Sequence, residues 1–269
     1  MRKSLLATAL LAALTLPTIT MAEELAPAAA EPASPHTFTY NIGLYSQYVF
    51  RGLTQTDKKP ALQGGMDYSH SSGFYAGTWA SNISWLEDGG QYHASSLEWD
   101  IYGGFRNTIG ETGIGYDVGL LNYVYPGKKT IAGKGNAGFD DPYTLEGYAA
   151  LSYQWLQAKV SYSFTDTFGV PNADGTYYVE LNANYPIADT GLTINGHVGR
   201  QKYDGKAGGI DNDDFYSYTD YKLGLTKSWS NGVNLGAYYT DTNAKDKGYT
   251  YNGNNIGNDT FTVFVQKTF

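Results

Sequence analysis

From residue 38 to the end of the chain, apolar and polar residues alternate one by one in segments of about ten, and the gaps between segments alternate short and long. Side chains change sides at every residue of a strand, so each segment carries one apolar and one polar face. In the first, Phe38, Tyr40, Ile42, Leu44, Tyr48 and Phe50 share a face broken only by Ser46, while Thr39, Asn41, Gln47 and Arg51 lie opposite. The same reading predicts strands over 38–51, 61–70, 74–85, 97–107, 113–125, 143–154, 157–165, 176–185, 192–201, 217–228, 233–242 and 259–269. Tight turns at Ser71-Ser72-Gly73, around Gly110, at Trp155-Leu156, at Ile187 to Gly191 and at Ser230-Asn231-Gly232 all fall on one side. The long polar loops fall on the other.

Two architectures share this alternation. A soluble β-sandwich turns its apolar faces inward. A membrane barrel turns them to lipid and keeps the polar faces for a lumen. Segments of about ten residues exceed the ~5–6 usual for soluble strands. Aromatic residues gather near segment ends (Phe50, Tyr68, Phe74, Trp85, Tyr125, Tyr153, Trp155, Trp229), as interfacial girdles do. The expectation is an all-β, transmembrane, antiparallel up-and-down β-barrel of about 12 strands, with short periplasmic turns and long extracellular loops. The even count puts both termini on the short-turn side.

The chain ends agree with export to an outer membrane. Arg2 and Lys3 precede an apolar run from Leu5 to Leu16, and small residues follow to Ala22, so 1–22 reads as a signal peptide. Residues 23–37, rich in Pro, Ala and Glu, read as a flexible periplasmic leader, and 38–269 as the barrel. At the other end Phe261, Val263, Val265 and Phe269 share one face, with Phe269 the last residue. Lys267 breaks the apolar pattern, and a lysine near the interface can snorkel.

Composition narrows the chemistry. Cysteine is absent, which removes disulfides, thiolate metal sites and thiol nucleophiles. Glycine, with 33 of 269 residues, exceeds the ~7 % usual in proteins and suits turns and close strand packing. The net charge of −8 becomes −10 once the two positive charges of Arg2 and Lys3 leave with the signal peptide. No basic stripe exists for phosphates, so a nucleic-acid partner is not expected. No cofactor or metal is implied either.

The charges concentrate on the predicted inward face: Arg51, Asp67, Glu98, Asp100, Arg106, Asp117, Glu146, Lys159, Glu180, Asp220 and Lys222. Seven acids against four bases predict a mild cation preference, since rings of like charge set ion selectivity in pores. Eight strands leave a filled interior and sixteen an open channel, so twelve imply a narrow or blocked lumen. Arg51 carries two readings: contact with an anionic solute or lipopolysaccharide, or an ion pair with Asp67 on the neighbouring strand, the plainer of the two. Trp79 and Trp85 read as anchors in lipid or at its boundary.

Other candidates are weaker. His36, His70, His93 and His197 show no metal-ligand spacing. His197 near Ser161 or Ser163 raises a barrel phospholipase, but no G-x-S-x-G motif accompanies it. Asp211-Asn212-Asp213-Asp214 lacks the glycine and distal glutamate of a calcium loop and reads as a solvated acidic turn.

Several passages resemble the TorF-type porin family. They are Ser46-Gln47-Tyr48-Val49-Phe50-Arg51-Gly52, Pro60-Ala61-Leu62-Gln63-Gly64, Gly73 to Asn82, Glu98 to Gly104, Asp117-Val118-Gly119 with Tyr123, Tyr125-Pro126-Gly127, and Asp220 to Gly224. The likeness covers about 38–269 and is densest in the first hundred mature residues. It implies an outer-membrane barrel with a pore-type role and no catalytic residues. Separately, the last strand with its terminal Phe269 resembles the C-terminal strand of outer-membrane proteins, whose last aromatic is read by the barrel-assembly machinery.

The expected function is passive diffusion of small polar solutes or ions across the outer membrane of a Gram-negative bacterium, with outer-membrane lipid and lipopolysaccharide as surroundings. The alternatives are a filled barrel whose surface loops bind a partner, and a barrel enzyme.

Overall fold

A computed structural model describes residues 34–130 and 139–269. The expected signal peptide and most of the leader lie outside the described residues. Twelve antiparallel strands close into one barrel: β1 His36–Tyr45, β2 Ala61–His70, β3 Phe74–Asn82, β4 Leu97–Thr108, β5 Ile114–Val124, β6 Thr144–Tyr153, β7 Leu156–Ser163, β8 Tyr177–Ile187, β9 Leu192–Lys202, β10 Tyr218–Ser228, β11 Val233–Thr242 and β12 Thr260–Thr268. Each pairs with its neighbours in sequence, and β12 closes on β1 with Leu44 opposite Val265 and Asn41 opposite Thr268. Closure leaves no unpaired sheet edge, which a strand structure in lipid requires.

The side chains settle the choice between sandwich and barrel. Ile42, Leu44, Leu62, Trp99, Ile101, Leu120, Leu151, Leu181, Leu223 and Leu235 are exposed around the outside, while Glu98, Asp100, Glu146, Lys159, Glu180 and Asp220 are buried inside. A soluble protein does not expose so continuous an apolar girdle. The outward ring is a lipid-facing surface, and the fold is a transmembrane β-barrel. Phe261, Val263 and Val265 belong to this ring, Phe269 is also exposed, and Lys267 bends away to the Asn231 carbonyl with its ammonium 5.2 Å from the Phe269 ring.

Four expectations need correction. The first strand was expected to run to Arg51; it leaves the wall after Tyr45, so Tyr48 and Phe50 do not face lipid. Trp79 is inside the barrel, not in lipid. Register dictates this: Trp79 stands opposite Asp100 and Gly65, in an inward row, and Gly65 is bare enough to admit the indole edge. Trp85 sits in a short helical turn, Trp85–Asp88, folded over the mouth and buried. Tyr125 is likewise buried, whereas Phe74, Tyr153, Trp155 and Trp229 are exposed as girdle residues should be.

Candidate functional site

After Tyr45 the chain turns into the barrel mouth as a small hairpin. Val49 pairs with Thr54 and Phe50 with Leu53 around a two-residue turn, Arg51-Gly52. Both turn residues have positive φ, +45° and +78°, the geometry that matches the twist of a two-stranded ribbon. Glycine takes it freely; arginine does so at a cost. A Cβ on Gly52 would also run into the Thr242 methyl and lie 2.6 Å from Asp220 Cβ. The tip is therefore pressed against the far wall.

Arg51 is held by a two-pronged contact. Its Nη1 and Nη2 donate to Glu146 Oε1 and Oε2 at 2.9 and 2.7 Å, and Nη1 also donates to Gln201 Oε1 at 2.8 Å. The guanidinium lies 4.3 Å from the Tyr178 ring centre and 4.8 Å from that of Phe50. Such bidentate, charge-assisted pairs are the stronger hydrogen bonds of proteins. The expected pair with Asp67 does not form. Asp67 is the seventh residue of β2 from its loop end, far below the tip, and accepts from the Tyr102 hydroxyl at 2.6 Å instead. The hairpin base is tied by Gln47 Nε2 donating to Thr260 Oγ1 at 2.6 Å and Thr54 N donating to the Ile256 carbonyl at 2.9 Å.

One wall of the mouth is filled. Trp79, Tyr102, Leu121 and Tyr123 from β3 to β5 pack with Tyr48 of the hairpin and with Ile83, Trp85, Leu86, Tyr92 and Tyr125 from the loops above. Edge-on ring contacts join Tyr48 to Trp79 at 5.3 Å, Phe50 to Tyr123 at 5.6 Å and Trp85 to Tyr125 at 5.6 Å. Two β4 acids are sealed into this wall. Glu98 accepts from the Tyr48 hydroxyl at 2.5 Å, whereas Asp100 Oδ1 has no hydrogen-bond partner among the described residues. Burial, then the nearby Glu98 and Asp100 charges, push the Tyr48 hydroxyl above its ordinary 10.0, so it remains a donor.

The opposite wall, β8 to β11, is polar and borders a small, partly open cavity. His197 Nε2 lies 2.8 Å from Asp220 Oδ1 and its Nδ1 2.6 Å from Asn182 Oδ1. The Tyr178 hydroxyl donates to Asp220 Oδ2 at 2.8 Å. Lys159 is 3.9 Å from Glu180. Lys222 faces the cavity near Tyr238, with its Nζ 5.7 Å from the ring centre, and makes no ion pair or hydrogen bond among the described residues. Towards the short turns, Asp117 accepts from the Tyr75 hydroxyl at 2.6 Å and Arg106 lies 4.9 Å from the same ring.

The expected lumen charges are thus of two kinds. Glu98, Asp100, Glu146, Lys159, Glu180 and Asp220 are buried, and Arg51 is buried with Glu146. Asp67, Arg106, Asp117 and Lys222 are half-exposed, two of each sign. The acidic excess legible in the sequence is mostly buried, in the aromatic wall or in contacts with Arg51, Lys159 and His197.

The weaker candidates resolve simply. Neither Ser161 nor Ser163 is a hydrogen-bond partner of His197, whose nitrogens are taken by Asn182, Tyr178 and Asp220. Asp211 caps the helical turn Asn212–Tyr216 by accepting from Asp213 N, and Asp213 pairs with Lys202. Among the described residues no group of three or more His, Asp or Glu is placed to hold a metal ion.

The inward hairpin and the aromatic wall were missed by reasoning from sequence. A usable signal was there: Val49-Phe50 and Leu53-Thr54, two strand-like pairs, flank a two-residue link ending in glycine.

A family described as "Bacterial protein of unknown function (Gcw_chp)" matches residues 29–269, and the chain belongs to it. That match does not carry the TorF name. No curated protein matches the sequence. Among solved structures, an outer-membrane channel from Pseudomonas putida F1 is similar at 14 % identity and a TM-score of 0.51, covering 91 % of this chain and 100 % of that one. The KdgM porin is similar at 8 % identity and 0.50, over 86 % and 99 %. The NanC porin is similar at 12 % and 0.50, over 87 % and 99 %. At these identities the likeness establishes the barrel fold alone.

Proposed function

We propose that this Gcw_chp-family barrel is a porin-like protein of the Gram-negative outer membrane, passing small polar solutes or ions by passive diffusion. The observation that carries the reading is the cavity beside the hairpin tip, with Lys222, His197, Asp220 and Tyr238 along it. A solute there exchanges part of its hydration for side-chain contacts, which is how polar pores conduct. The pathway runs along β8–β11 beside the tip, because the β3–β5 side is closed by rings. Similar barrels described as porins and as an outer-membrane channel support the reading, as does the resemblance to TorF-type porins. The two-to-two balance of half-exposed charges makes the cation preference of the native protein weak at most.

A second reading has its own support. The hairpin and the aromatic wall fill much of the mouth, as in a closed barrel that works through its loops. Purified, folded protein in a planar lipid bilayer separates the two. Discrete current steps are expected; a bilayer that stays silent with folded protein present would favour the closed barrel.

A further inference from the structure

We infer that Arg51 is the residue that determines ion selectivity in this barrel, by cancelling Glu146 at the mouth; the inference rests on the channel reading above. Four observations converge on it. Arg51 sits at the tip of an inward hairpin that lines the cavity, so any ion in that cavity passes its side chain. Its fork closes both oxygens of Glu146, a carboxylate with almost no exposure of its own. Acids surround the tip: Glu180 and Asp220 line the same cavity, with Lys222 as the other cation there, and Glu98 and Asp100 lie behind the adjacent rings. Lastly, arginine occupies a left-handed turn position that asparagine or glycine fills at less cost. The backbone does not ask for arginine there; the side chain's charge and reach account for it.

The electrostatics fix the sign. Without Arg51 the cavity keeps Glu180 and Asp220 against Lys222, and Glu146 beside it stands without its arginine. A single uncompensated charge in a confined, partly desolvated passage acts far more strongly than one in bulk water. Removing the arginine therefore favours cations, and removing Glu146 while keeping the arginine favours anions.

Arg51→Asn is the appropriate variant, because asparagine suits the turn and only charge and reach are lost. Arg51→Lys keeps the charge and loses the fork. Reversal potentials under a salt gradient are measured for the native protein, Arg51→Asn, Arg51→Lys, Glu146→Gln and Arg51→Asn/Glu146→Gln, with each checked for folding by its gel shift on heating. Arg51→Asn is expected to raise the cation-to-anion permeability ratio about threefold or more. Glu146→Gln is expected to move it the opposite way, the double variant to return near the native value, and Arg51→Lys to stay there. Current steps with one reversal potential across all five proteins would overturn the assignment while leaving the channel intact. Should Arg51→Asn fail to fold, Glu146→Gln decides alone: no anion shift overturns the assignment. Silence from every folded protein overturns the channel reading, and this inference with it.

Discussion

The two walls of the barrel mouth are built from the same alternating strands, yet they do opposite things. Along β3 to β5 the inward positions carry Trp79, Tyr102, Leu121 and Tyr123, which pack with Tyr48 and exclude water. Along β8 to β11 they carry Tyr178, Glu180, Asn182, His197, Asp220 and Lys222, which hydrogen-bond among themselves or face a cavity. The aromatic wall anchors the hairpin and the polar wall leaves the passage. Inward-facing residues in a membrane barrel are therefore not one class: some act as core and some as lumen.

The largest expected effect comes from breaking the aromatic wall. Trp79→Ala leaves a cavity under Tyr48 and Ile83 and should destabilise the barrel by about 3–5 kcal/mol in denaturant titrations. It should also raise conductance, because the hairpin loses its anchor. Tyr238→Ala on the polar wall removes a half-buried ring and should cost less than half as much. Equal costs would erase the distinction between the walls.

Next in size is the seam where the tip meets the polar wall. Gly52→Ala forces a Cβ towards Thr242 and Asp220 at a positive φ and should cost about 1–3 kcal/mol, read from the same titrations. Tyr178→Phe removes the hydroxyl shared by Asp220 and His197 and should cost about 1–2 kcal/mol. Its effect belongs to the polar wall, so the hairpin's contacts with Trp79 should survive.

Much of this was legible in the sequence because period-two alternation is a direct consequence of strand geometry. The inward rows of Glu98, Asp100 and Arg106, or Lys159 with Ser161 and Ser163, follow from it once one face is assigned to lipid. The hairpin was not legible for the same reason. Tyr48 and Phe50 continue the apolar rhythm of Phe38 to Leu44, and that rhythm hides both the break at Ser46 and the short hairpin signal around Arg51-Gly52. Long-range contacts fix the inward fold: Arg51 to Glu146 and Gln201, 95 and 150 residues away, Gln47 to Thr260, and Tyr48 to Trp79. Trp79 was misassigned because an indole reads equally well in lipid and in a packed lumen. Its register against Gly65 and Asp100 decides, and that is a tertiary fact.

The smallest expected effect is a pH dependence of the mouth. Tyr48, Tyr125 and Tyr249, all outside the spanning strands, have hydroxyls pushed above 10.0, first by burial and then by neighbouring charges. The protonated form is the one the folded mouth accepts. Their contribution to stability is complete below pH 10 and is lost as pH rises from there through the folded values. Ultraviolet difference spectra should show these phenols ionising late, together with loosening of the loops, while the strands persist. Ionisation at the ordinary tyrosine value with the loops intact would contradict their burial.

The central claim is that solutes pass along the polar wall and not the aromatic one. The chain has no cysteine, so single cysteines report cleanly. The most direct measurement is current through Lys222→Cys and Leu121→Cys barrels before and after a charged thiol reagent. Block or a step change at position 222, with none at 121, is the predicted result. Modification at 121 with 222 unaffected would place the passage on the wrong wall and contradict the account.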